Sequence, residues 1–118
     1  MKYLLLIHQG DTPLPGTPEW DSLSEDERRA VYGDYQAVNQ TPGVTPGLWL
    51  EPPEVATTVR VENGETLTTD GPFVAIKEAL GGYLIYEADD LDSAIALASR
   101  IPAARLGGAI EVRPIKEG

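Results

Sequence analysis

Lys2-Tyr-Leu-Leu-Leu-Ile-His8 is short, apolar and closed by Gly10-Asp11. A run of that length without helical periodicity predicts a strand buried on both faces. Three prolines and a glycine between Thr12 and Pro18 then deny the chain donors and φ freedom, which predicts a loop. Ser24-Glu-Asp-Glu27 matches the capping box, so a helix is expected from there to about Asn39. Val31, Tyr35 and Val38 fall on its buried side, and Thr41-Pro42-Gly43 ends it.

The rest of the chain reads mainly as strands. Val44 to Leu50, through Pro46-Gly47, is expected to turn into a short strand. Val55 to Val61 and Glu65 to Thr69 flank Asn63-Gly64, the signature of a hairpin with a type I′ turn. Val74 to Leu80 reads as a helical turn or an irregular crossing, ended by turn glycines Gly81-Gly82. Gly82 to Ala88 is the next strand, and Asp89-Asp90 can cap a helix from Leu91 to Ile101. That helix is expected to bury Leu91, Ala94, Ile95 and Ala98 before Pro102 stops it. After the turn at Gly107-Gly108, Ala109 to Ile115 alternates, with Ile110 and Val112 on one face and Glu111 and Arg113 on the other.

These elements predict an α+β fold: a ferredoxin-like β-α-β-β-α-β arrangement with an inserted hairpin, its antiparallel sheet covered by two helices on one face. The second sheet face would carry Leu, Ile, Tyr and Val, and 118 residues leave no second domain to cover it. A homodimer is therefore expected.

Composition narrows the chemistry. Nineteen acidic against nine basic residues give a net charge of −10, the wrong sign for nucleic acid or an anionic membrane surface. No apolar run approaches the roughly 20 residues of a spanning helix. Zero cysteines exclude disulfides, thiolate nucleophiles and cysteine-ligated metals, and one histidine excludes a multi-histidine metal site. With no secretory signal pattern at Met1-Lys2, a cytoplasmic protein is expected. Metal-free acid–base chemistry, or none, is what remains, and no cofactor is implied.

Four stretches carry a family likeness: the opening Met-Lys-Tyr-Leu-Leu-Leu-Ile, Asp70-Gly-Pro-Phe73 with Lys77-Glu78 and Leu80-Gly-Gly82 behind it, Asp90-Leu-Asp-Ser-Ala94, and Gly107-Gly-Ala-Ile-Glu-Val-Arg-Pro114. In this order they resemble the YCII-related proteins, specifically the DGPF subgroup, across nearly all of residues 1–118. The resemblance implies a single domain, a bacterial source, the dimeric α/β-barrel superfamily, and relatives that mostly lack an assigned activity. Other YCII-like proteins have a proposed catalytic His–Asp pair with its His on the helix after the first strand. No His stands between Glu25 and Asn39, so that pair does not carry over residue by residue.

The candidate residues each have a plain counterpart. His8 is the one side chain whose ordinary pKa lies near neutrality, which suits general acid–base work as well as a hydrogen-bonded strand end. Asp70, before Gly71-Pro72, either presents a carboxylate to a cleft or caps its turn. Lys77 either binds an anionic ligand group or is solvated beside Glu78. Arg60 and Arg113 either pair carboxylates across the sheet or bind a ligand carboxylate. Tyr3, Tyr83, Tyr86 and Trp49 line a small-molecule site or pack the sheet. The glycine pairs lack phosphate-loop spacing, and six carboxylates between Glu19 and Asp34 read as a solvated helix face. Two functions follow: a dimer that binds a small organic molecule in a cleft at the sheet, with His8 and Asp70 catalytic and Lys77, Arg60 and Tyr83 binding, or a non-catalytic ligand-sensing or protein-interaction module on the same scaffold.

Overall fold

The computed structural model describes residues 1–71 and 80–116. The expected tetrapeptide's Pro72 and Phe73, the crossing from Val74, and Lys77 lie outside the described residues. The strand β1 (Lys2–His8) is followed by a four-residue helix α1 (Pro18–Asp21) and the long helix α2 (Glu25–Asn39). β2 (Val44–Trp49), β3 (Thr57–Glu62) and β4 (Glu65–Asp70) come next. β5 (Leu80–Glu87), α3 (Leu91–Ala98) and β6 (Ala109–Pro114) complete the order. None of the described helices is long and apolar enough to cross a membrane.

β2, β5, β1 and β6 form one antiparallel sheet in that spatial order, and β3 and β4 a separate two-stranded ribbon. Alternation sends Tyr3, Leu5 and Ile7 of β1 to one face, where they are buried with Leu84 of β5, Val38 of α2 and Ala94, Leu97 and Ala98 of α3. Both longer helices thus cover the same face. The opposite face holds Leu4 against Ile85 and Leu6 against Tyr83, all half-buried.

Local signals explain most boundaries. Ser24 and Glu27 form both hydrogen bonds of the capping box. Asp90 accepts from the Ser93 amide at 2.8 Å. Asn63 at φ 51° and Gly64 at φ 79° supply the two left-handed residues that a type I′ hairpin requires. The Glu27 carboxyl is held below its ordinary value chiefly by the Ser24 backbone amide, then by the Ser24 side chain. Its stabilising effect is therefore present above the ordinary carboxylate range and lost as the pH falls through the lowered value. Glu27→Ala is expected to lower the thermal midpoint at pH 7, by an amount that shrinks as the pH falls through the carboxylate range. Ser24→Ala is expected to cost about 1 kcal/mol.

Four expectations need correction. The Pro-rich segment runs into α1, because Thr17 accepts from the Trp20 amide and Pro18 fits the first helical position. β3 begins at Thr57, not Val55, since Pro53–Val55 form a 3-10 turn. Gly81 and Gly82 lie within β5 instead of ending a turn, opposite a register shift at Ile7/His8. Finally, α3 stops at Ala98 and buries Ala94, Leu97 and Ala98, while Leu91 and Ile95 stay about half exposed. Its sequence is apolar nearly all round, so the sheet, not the helix, selects the inner face.

The protomer is spread thin, at 50 × 44 × 18 Å with a radius of gyration of 16.1 Å. A compact chain of this length would have about 13.5 Å. Its accessible surface is 7909 Å², about 1,700 Å² above the value of about 6,200 Å² that its mass predicts for a monomer. The ribbon contributes to the excess, with Val59 and Val61 both largely exposed.

Candidate functional site

His8 ends β1 on the sheet face away from the two longer helices, opposite Ala109 of β6. Its Nε2 lies 3.2 Å from Oε1 of Glu111. Glu111 reaches it because Leu6 pairs with Glu111 and His8 with Ala109, which puts the carboxylate one pleat away on the same face. The other carboxylate oxygen accepts from Arg113, from Nε at 3.1 Å and also from Nη2. Arg113, then His8, holds the Glu111 carboxyl below its ordinary value. An ionised carboxylate only accepts, so the Nε2–H of His8 donates to it.

Tyr83 faces the same way from β5, opposite Leu6 and half-buried. The structure therefore brings together His8, Tyr83 and Arg113, with Arg113 in the carboxylate-pairing role. It does not gather the others there. Asp70 ends β4 opposite Thr57, exposed on the separate ribbon, and among the described residues no hydrogen bond or ion pair joins it to His8. Arg60 stands on β3 opposite Leu67 in that ribbon. Lys77 lies outside the described residues. Tyr3 is buried in the core, and Trp49 meets Tyr35 edge to face at 5.6 Å.

Sequence reasoning missed Glu111 as the partner of His8. It placed Glu111 and Arg113 on one face, but 103 residues separate Glu111 from His8 and only the β1/β6 register joins them. It also missed Gln9 and Thr12, whose signal was no more than two polar residues between a strand and a proline-rich loop.

Those two residues mark a second feature at the same end of the sheet. A cleft of about 660 Å³ opens beyond β1, walled by Trp49, Leu50, Pro52 and Leu80, with Gln9, Glu51 and Glu54 also among its lining. Gln9 lies across Gly81, where any Cβ would collide with its side chain, so glycine is needed for it to sit there. An adjoining recess of about 10 Å³ shares Gln9 and Trp49 and is lined also by Thr12. Oε1 of Gln9 and Oγ1 of Thr12 are buried, with no hydrogen-bond partner among the described residues. No group of three His, Asp or Glu residues close enough to hold a metal occurs among the described residues.

A family model for the YCII-related domain matches residues 1–118. An uncharacterized protein of Rhizobium meliloti (strain 1021) is 34% identical over 120 residues, which covers 98% of this chain and 92% of that protein. Among solved structures, 5-chloro-2-hydroxyhydroquinone dehydrochlorinase (TftG) from Burkholderia phenoliruptrix AC1100, in complex with 2,5-dihydroxybenzoquinone, aligns at 20% identity. It covers 100% of this chain and 96% of its own, with a TM-score of 0.48.

Proposed function

The chain belongs to the YCII-related family, and on that premise we propose that it is a homodimeric protein that binds a small organic molecule in a cleft between the partner copy and the sheet face away from its two longer helices, and performs metal-free acid–base chemistry there through His8. The observation that carries this is the His8–Glu111–Arg113 chain of hydrogen bonds. A single imidazole whose Nε2–H donates to an ionised carboxylate, which favours one tautomer, is an arrangement suited to a general acid or base. Tyr83 lines that face as a binding residue.

The assignment extends to the DGPF subgroup and to a ferredoxin-like protomer of a dimeric α/β barrel. The strand order β2-β5-β1-β6 with both helices on one face supports it. The surplus surface of about 1,700 Å² supports the second copy, since obligate dimers bury about 1,000–2,500 Å² per partner. The absence of cysteine suits a reducing cytoplasm. Asp70, Arg60 and Lys77 remain candidates for the same site, the first two on the ribbon and Lys77 outside the described residues. The second reading, a non-catalytic interaction module, is favoured by the exposed Val59 and Val61 of that ribbon.

Because His8 is the only histidine, its ring resonances need no assignment. Long-range nitrogen–proton NMR is expected to show the Nε2–H tautomer in the native chain and a mixture in Glu111→Gln. Fragments that bind in the proposed cleft are expected to move those resonances, and His8→Asn to retain binding but lose any turnover found. A tautomer unchanged by Glu111→Gln, or turnover that survives His8→Asn, overturns the proposal.

A further inference from the structure

The β3–β4 ribbon is built to be covered, yet within one protomer it is open. All of its strand residues are exposed except Thr58, which is half-buried. A two-stranded ribbon on its own is marginally stable in water and gains persistence from packing one face on another surface. Its register says which face that is. Val59 pairs with Thr68, Val61 with Thr66 and Thr57 with Asp70, and directly opposed residues share a face. One face therefore carries Val59, Val61, Thr66 and Thr68, β-branched and uncharged, with Asp70 at its root. The other carries Arg60 opposite Leu67, and Glu62 opposite Glu65 beside the turn. Two like charges set across from one another favour water over a dry contact.

Two observations point to a second copy of the chain as the cover of the β-branched face. One is where the uncovered apolar side chains lie. Leu4, Leu6, Tyr83 and Ile85 on the open sheet face are half-buried within one protomer, whereas Val59 and Val61 are 60% and 66% exposed. A dimer that joined through the sheets alone would leave these valines in water, and with them part of the surplus surface of about 1,700 Å². The other is charge. With a net charge of −10, two copies repel over most of their surface and meet best through patches without carboxylates. A foreign partner steered to an acidic chain would be drawn to its carboxylates instead.

The ribbon also has the reach. The chain leaves the sheet after Leu50, whose amide donates to Gly81, and re-enters it at Leu80 opposite His8, so both connections lie at the His8 end. Strands of six residues at about 3.3 Å per residue make an arm of about 20 Å. The protomer's thinnest dimension of 18 Å is filled by one sheet and one layer of helices, so the arm extends sideways and does not lie over its own sheet.

We propose that the β3–β4 ribbon is an arm that clasps the partner copy, with Val59, Val61, Thr66 and Thr68 packed against that copy and the Glu62–Glu65 face toward water. The inference rests on the homodimer reading and extends it: the two copies hold one another by their ribbons as well as by their sheets.

The test mixes ¹³C-labelled and unlabelled native protein and reads isotope-filtered NOEs at the Val59 and Val61 methyls. Contacts from these methyls to the unlabelled copy are expected. Sedimentation then gives the dimer dissociation constant of the native chain, of Val59→Lys/Val61→Lys and of Leu67→Lys/Thr69→Lys, which add the same charge to opposite faces of the ribbon. The first pair is expected to weaken the dimer at least thirtyfold and the second less than threefold. The NOEs are read in the native chain, so a ribbon that unfolds in the first pair does not decide the matter. A native dimer without contacts between copies at these valines overturns the proposal, as does equal weakening by the two pairs. A ribbon reserved for a different protein, or one covered by its own chain, gives the first of these results, and the homodimer reading survives it. A native protein that runs as a monomer removes that reading and this one together.

Discussion

Leu5→Ala is expected to lower the unfolding free energy by about 3–4 kcal/mol, read as a fall in the urea midpoint with unchanged slope. Leu5 is fully buried at the middle of β1, a central strand, opposite Leu84 of β5 and Val112 of β6. It also lies under both longer helices, in the cluster with Val38 and Leu97. Truncation loses the transfer free energy of three carbons and leaves a void that rigid sheet neighbours cannot close. With total stabilities of about 5–15 kcal/mol, such a loss removes a large part of the folded margin. Ile95→Ala serves as the control. The helix pattern places Ile95 inside, but the structure leaves it half exposed, so its cost is expected within about 1 kcal/mol. Equal costs at the two positions would mean that α3 packs by the other face.

Leu6→Arg carries the second large effect, on assembly. Leu6 stands at the centre of the uncovered sheet face, between Tyr83 and Glu111. In the proposed dimer that position is buried, and a buried guanidinium without a partner is strongly unfavourable. Light scattering after size exclusion is expected to give twice the chain mass for the native protein and a single chain mass for Leu6→Arg at micromolar concentration. The variant is expected to keep the native circular dichroism, because the covered face is untouched. A native protein that runs as a monomer would remove the dimer proposal, and with it the explanation for the surplus surface.

Much of the fold was legible in the sequence because its signals are local. A serine three residues before a glutamate, a proline after a threonine, and Asn-Gly between alternating strands each act through hydrogen bonds or φ preferences within about four residues. The Pro-rich loop hid α1 because the same threonine and proline serve turns and helix starts alike. The site was less legible. His8 could be singled out by its chemistry, yet its partner Glu111 and the burial of Gln9 are products of strand pairing. Asp70, singled out by its place before Gly71-Pro72, and Arg60, by its charge on a strand, stand on a ribbon whose relation to the sheet no local signal reports.

What the sequence by itself determined is therefore the element boundaries at β1, α2 and the Asn63-Gly64 turn, the chemistry excluded by its lack of cysteine, and the acidic field of the molecule. Only the tertiary structure decided which face of α3 turns inward, that His8 leans on Glu111, and that Gln9 and Thr12 close a recess beside Trp49. The division has one physical cause. Caps and turns are settled by neighbours along the chain, whereas register and helix orientation are settled by the summed burial of residues far apart, which leaves no mark in any single stretch of sequence.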